Sequence, residues 1–258
     1  MVGRLLLRGM LAGVVAGLLA FGFAKVFGEP PIEHAIAFEE HMAHHHPGAD
    51  TDNHMKGETD ESELVSRATQ AGLGLFVAVV VYGAAIGGLY ALVFAFVYGR
   101  FGHLSPRATA ALLAAAAFVS FVLVPALKYP ANPPAVGDPD TIGTRTALYF
   151  AMLVISVAAL IFAIGLARSL ASRYDGWSAG LVGAAAYVAI VAIAIYVLPV
   201  VNEVPEHFSA VVLWNFRVAS LGLHAVLWTI VGLLFGFLAE RMLAPPPRGR
   251  LYQAAIPR

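Results

Sequence analysis

Apolar residues run along the chain in six unbroken blocks: Leu5–Val26, Ala71–Tyr98, Ala108–Leu127, Thr146–Leu166, Ala179–Val201 and Val218–Ala239. Polar residues gather in the gaps between them. Each block reaches or exceeds the roughly 20 apolar residues that carry a helix across about 30 Å of hydrocarbon. None holds Asp, Glu, Lys or Arg near its middle, and Lys25 sits at the outer end of the first, where its amine can reach water. Runs this solidly apolar show no period, so length decides between helix and strand: barrel strands are about half as long and alternate. The pattern predicts an all-α integral membrane protein, a six-transmembrane-helix bundle forming one membrane domain over residues 1–258. Residues 28–70 are its one long polar loop.

The first block has a competing reading. Arg4 and Arg8, an apolar run and the small residues Gly22 and Ala24 follow the order of a cleaved secretory leader. The run is too long for that, and it repeats Gly9, Gly13, Gly17 beside Ala12, Ala16, Ala20, Ala24. Such stripes of small residues let helix backbones approach closely in lipid. It is therefore expected to stay as the first span.

Composition agrees with a membrane domain. The 258 residues are 59% hydrophobic and 12% charged, with a mean hydropathy of +0.77, about half the charge of an ordinary soluble domain. This excludes a disordered chain, a coiled coil and a soluble enzyme of usual composition. A formal net charge of zero argues against a nucleic-acid partner. With no cysteine there is no disulfide framework, thiolate metal site or Cys nucleophile, so a metal would be held by His, Met and carboxylates.

Charge is sorted by the spans. Alternate gaps and both termini hold ten of the 16 basic residues, all arginine, with only Asp175 and Glu240 as acids. The other gaps hold Lys25, Lys56, Arg67, Lys128, Arg145 and Arg217 with the remaining acids. Because basic residues accumulate on the cytoplasmic side, both termini are expected in the cytoplasm, in a cell membrane crossed several times, with the acidic face outside.

The outer face carries the candidate chemistry. Of nine histidines, His34, His41, His44, His45, His46 and His54 fall within 21 residues of the first outer loop, among Glu33, Glu39, Glu40, Asp50, Asp52, Met42 and Met55. Pro31–His46 lacks glycine and predicts a short interfacial helix, which Pro47-Gly48 stops. On a helix His34, His41 and His45 share a face, and His41/His45 is an i, i+4 pair able to chelate one ion. Neutral imidazole with carboxylate suits Co²⁺, Ni²⁺ or Zn²⁺. Such a site would empty as imidazoles protonate near their ordinary pKa of about 6.5. The bland alternative is a solvated His-rich loop that binds metals loosely.

In the later outer loops, Asp138, Asp140, Asn202, Glu203, Glu206 and His207 could attract a cation or could fix turns and cap helices. His224 is the one imidazole inside a span, with Ser220 and Met152 expected at similar depth, and an ionisable group there is a functional candidate. The alternative is a neutral ring hydrogen-bonded to a neighbour. The three outer loops also share a weak pattern: a proline closes the preceding span (Pro30, Pro125, Pro199) and an arginine opens the next. Arg-x-Ala recurs at Arg145 and Arg217.

One motif carries no chemistry. Gly176-Trp177-Ser178-Ala179-Gly180 matches the G-x-S-x-G nucleophile elbow, which needs a preceding strand and a later Asp and His on the same face. Here the serine opens a membrane helix, and Ser178 as N-cap beside an interfacial Trp177 explains it. No nucleotide-binding G-x-x-x-x-G-K-[ST] is present either.

The segments LLLRGMLAGVVAGLLAFGFAKVFGEPPIEHAIAFEE, PALKYPANPPAVGDPDTIGTRTALY and LPVVNEVPEHFSAVVLWNFRVASLG resemble the CbtA family, predicted cobalt transporter subunits of bacteria. KYPANPPAVGDPDTIG and NEVPEHF are the most specific parts, and the likeness spans essentially the whole chain. The resemblance implies a non-enzymatic role in cobalt supply for cobalamin synthesis and a small one-span partner, CbtB, with its own His-rich segment. It also implies five spans, against the six predicted here. The reading is then a membrane subunit of a cobalt uptake system, capturing the ion at its outer face and passing it inward with a CbtB-like partner or as a homo-oligomer. The alternative is a non-transporting metal-binding, sensor or assembly subunit anchored in the bilayer.

Overall fold

The structure is a computed structural model that describes residues 2–44, 66–100, 104–138 and 140–243. Among the described residues every regular element is helical. Helix α1 (Val2–Phe23) passes through a π-turn at Ala24–Gly28 into α2 (Glu29–His44). Then follow α3 (Arg67–Val97), α4 (Pro106–Lys128), α5 (Ile142–Leu170), α6 (Gly176–Val197) and α7 (Ala210–Leu243). Among the described residues six stretches are long and apolar enough to cross a membrane, the first running on from α1 into α2. Their outward faces are apolar: Phe96, Ile161 and Val188 are each more than 60% exposed. A surface of that kind is stable against hydrocarbon and costly against water.

Helix α1 packs most extensively on α3 and also against α7, while α4 packs on α7 and α5 on α6. The main core joins Ala12, Ala16 and Ala20 to Phe94, Leu227, Val231 and Phe235. In α1 and α3 the glycines decide the distance. A Cβ placed on Gly13 would strike the Gly83 carbonyl, and one on Gly87 would lie 2.9 Å from the Gly13 Cα. Backbone therefore touches backbone along Gly9-Gly13-Gly17 and Gly83-Gly87, as the small-residue stripe predicts. A second core holds Val124, Met152, Val191 and Ala194. A third closes the acid-bearing end, named outer from its charge alone, where Ala35 of α2 meets Val136 and Phe208 from the two later loops of that end.

The spans depart from the sequence expectation mainly at their outer ends. Pro30 and Pro125 do not end helices: each follows a π-turn, at Ala24–Gly28 and Phe118–Leu123. The wider turn absorbs the hydrogen bond a proline cannot donate. The expected interfacial helix is instead α2, continuous with the first span. Pro199 does act as a stop: α6 ends at Val197 and Leu198 is extended, the conformation a following proline favours. Helix α7 begins at Ala210 rather than Val218, and the Ser209 hydroxyl accepts from the Val212 amide at 3.4 Å. The cap of α6 is Asp175, not Ser178. Its carboxylate accepts from the Ser178 amide at 3.0 Å, which holds its pKa below the usual carboxylate value. No strand precedes Ser178, so the nucleophile-elbow geometry is absent from this segment.

The charge sorting survives folding. Arg4, Arg8, Arg100, Arg107, Arg168, Arg173 and Arg241 lie toward one set of helix ends, and α2 with the two later outer loops lies at the other. At the arginine end Arg107 pairs with Glu240 and the Arg8 guanidinium donates to the Leu238 carbonyl at 2.6 Å. These contacts tie α4 and α1 to the end of α7.

Candidate functional site

The two later outer loops are built alike. In each, a proline starts a turn whose third residue has positive φ and whose fourth is apolar and buried. The turns are Pro133–Val136, with Ala135 at φ 63°, and Pro205–Phe208, with His207 at φ 72°. Val136 and Phe208 enter the same outer core, and Phe38 of α2 meets Phe208 edge-to-face at 5.1 Å. The loops are then cross-braced. Arg145, at the start of α5, pairs with Glu203 of the opposite loop, and the Thr141 hydroxyl donates to the same carboxylate. Arg217, about two turns into α7, donates to Asn132 Oδ1 at 3.0 Å and to the Ala131 carbonyl at 3.4 Å.

This brace frames a cavity of about 300 Å³ between the outer ends of α4, α5 and α7. Arg217, Ser220 and His224 recur every three to four residues, so one face of α7 forms a wall. Arg145 and Tyr149 line it from α5, and Val122, in the π-turn of α4, from a third side. The His224 ring Nδ1 lies 2.9 Å from the Ser220 carbonyl. A carbonyl only accepts, so Nδ1 is the donor in this contact and Nε2 is the ring nitrogen left facing other partners. Tyr129 donates to the Pro199 carbonyl at 2.8 Å, and burial raises its pKa, so it remains a protonated donor.

The sequence-derived candidates fall into three places. His34, Glu40 and His41 are exposed on α2, whose Ala35 and Phe38 pack inward. His44 ends α2; its side chain, and His45, His46 and His54, lie outside the described residues. Asp138 and Asp140 are exposed in one loop, where Asp138 Oδ1 accepts from the Asp140 amide at 2.9 Å, the turn-fixing role. Glu203 is committed to Arg145 with its side chain 3% exposed, and His207 is an exposed turn residue. His224 lines the cavity with Ser220, whereas Met152, also expected at that depth, is fully buried in the second core. Among the described residues no three His, Asp or Glu side chains converge on a point where an ion could sit.

Sequence reasoning did not anticipate the cavity or its arginines. The recurring Arg-x-Ala at Arg145 and Arg217 was the signal, since those two residues make the brace.

A lipid-facing bundle of six long helices, with arginines at one end and acids at the other, defines a multi-pass membrane protein whose cavity opens at the acid-bearing end. A family model described as "Probable cobalt transporter subunit (CbtA)" matches residues 2–240, and the chain belongs to this CbtA family. No curated protein and no solved structure matches the chain.

Proposed function

We propose that this chain is the membrane subunit of a Co²⁺ uptake system that captures the ion outside and passes it inward together with a partner subunit. The observation that carries the capture step is the orientation of α2. Its apolar face is fixed on the outer loops, and Glu33, His34, Glu40 and His41 are presented to solvent. With His44, His45, His46, His54 and the acids that follow, they form a single imidazole–carboxylate segment. Neutral imidazole and carboxylate are the ligands that Co²⁺, Ni²⁺ and Zn²⁺ accept, and geometry rather than ligand type would choose among them. Asp138, Asp140 and His207 add outer-face charge or a further ligand, and His224 is the first imidazole inside the bundle.

Membrane potential suffices as a driving force, because a dication moving down about 100 mV gains roughly 4.6 kcal/mol, twice the single-charge value. The passage is the harder part. The spans carry no acid at mid-depth, and a bare ion buried there without ligands would be prohibitively costly. This supports a path completed by a second chain or a second copy. A groove between α4 and α7, floored by Ala111, Ala115 and Gly232 and flanked by Phe118 and Trp228, offers an apolar seat for an added helix.

Radiolabelled Co²⁺ uptake tests the proposal. Cells making this chain with its partner should accumulate the ion, whereas proteoliposomes holding the purified chain alone should be nearly silent. His224→Ala should abolish cellular uptake without altering Co²⁺ binding to the outer segment. Deleting residues 39–54 should weaken the apparent affinity. Strong flux from the purified chain alone would contradict the need for a partner. Binding to the outer segment with no uptake under any condition would favour a non-transporting metal-binding, sensor or assembly subunit.

A further inference from the structure

We infer that the outer cavity is an anion site, with Arg217 as its binding charge and a small carboxylate- or phosphate-bearing molecule as its ligand. Three arginines stand in the outer parts of spans, Arg67 and Arg145 in the first turn and Arg217 about two turns in, and the chain treats them differently. Arg67 pairs with the buried Glu29 at 2.6 Å, and Arg145 pairs with the buried Glu203. Arg217 occupies the place in its loop that Arg145 occupies in the other, but the position facing it across the brace is Asn132, an uncharged amide. Its charge is left without a carboxylate among the described residues, and it faces a cavity lined by two guanidiniums and by no Asp or Glu. Half-buried beside apolar walls, that charge is screened less than one in open water.

The donors around Arg217 match an oxyanion. The guanidinium presents several N–H groups in a fixed fork. Ser220, Tyr149 and the amide of Asn132 line the same space and can each donate. At about 30 Å³ per water, the cavity has room for a group of citrate size. A bare dication would meet net positive charge here. Under the proposed function, a bound carboxylate would offset that charge for a dication approaching His224; the anion site itself does not depend on transport.

Calorimetric titration of the purified full chain in phosphatidylcholine nanodiscs tests this with two free-anion probes, citrate and inorganic phosphate. A third arm compares thermal stability in nanodiscs with and without phosphatidylglycerol. Saturable binding of citrate or phosphate identifies a free anion as the ligand, and stabilisation only by phosphatidylglycerol identifies a lipid headgroup; either supports the site. Arg217→Gln should weaken the effect at least about tenfold, the scale of one charge-assisted hydrogen bond. Asn132→Asp should do the same while preserving the fold, because it gives Arg217 the internal carboxylate that Arg145 already has. No response to any probe, or an undiminished response in a folded Asn132→Asp protein, would overturn the inference.

Discussion

Gly13→Leu is expected to cost the protein its folded bundle, with a sharp fall in thermal stability and in the yield of monodisperse protein. The new side chain would begin where the Gly83 carbonyl already sits, with the Gly83 carbonyl carbon 2.7 Å and the Ala84 Cα 3.1 Å from its Cβ. These are backbone atoms of a helix, so they yield only if α1 and α3 separate. Overpacking of this kind costs about 1–3 kcal/mol and more where nothing can shift. In lipid little hydrophobic drive exists to restore the contact, because the tails are as apolar as the side chains. Gly22→Leu is the control: a Cβ there meets nothing within 4 Å, and its melting temperature should match the parent. Equal melting of both variants would contradict the packing described for α1 and α3.

Arg145→Ala should be the second most damaging change. The Glu203 side chain is 3% exposed, and loss of Arg145 leaves its carboxylate buried with only the Thr141 hydroxyl as partner. Removing one partner of a buried pair costs about 3–5 kcal/mol, mostly because the remaining charge is stranded. The effect should be local as well as global. Amide exchange should accelerate in both outer loops, since the pair is one of the two braces between them. Replacing both residues together, Arg145→Leu with Glu203→Leu, should recover much of the loss, as apolar substitutes often equal a buried pair. Unchanged melting and unchanged loop exchange in Arg145→Ala would show that the brace is incidental.

These two contacts mark what the sequence could and could not show. Six spans were legible because length alone settles them, and Gly9, Gly13 and Gly17 announced a close helix neighbour. The identity of that neighbour was not read from the sequence, although Gly83 and Gly87 repeat the same four-residue spacing. Span ends were misjudged where two rules compete: Pro30 and Pro125 read as helix stops, but a π-turn let each helix continue. Ser178 read as a cap, yet Asp175, three residues earlier, has the carboxylate that reaches its amide. His224 was conspicuous as a lone imidazole in a span. The cavity around it was hidden, because Arg145 and Arg217 choose partners 58 and 85 residues away. No local pattern encodes that distance.

Capture of the ion from outside requires the histidine- and acid-bearing end to face the outer membrane surface. The chain contains no cysteine, so single substitutions can report it cleanly. Met42 is 40% exposed on α2 and Tyr174 is 61% exposed at the arginine end. In intact cells a membrane-impermeant maleimide should label Met42→Cys, and should label Tyr174→Cys only after the membrane is opened. Labelling of Tyr174→Cys in intact cells, with Met42→Cys protected until lysis, would contradict capture of the ion from outside.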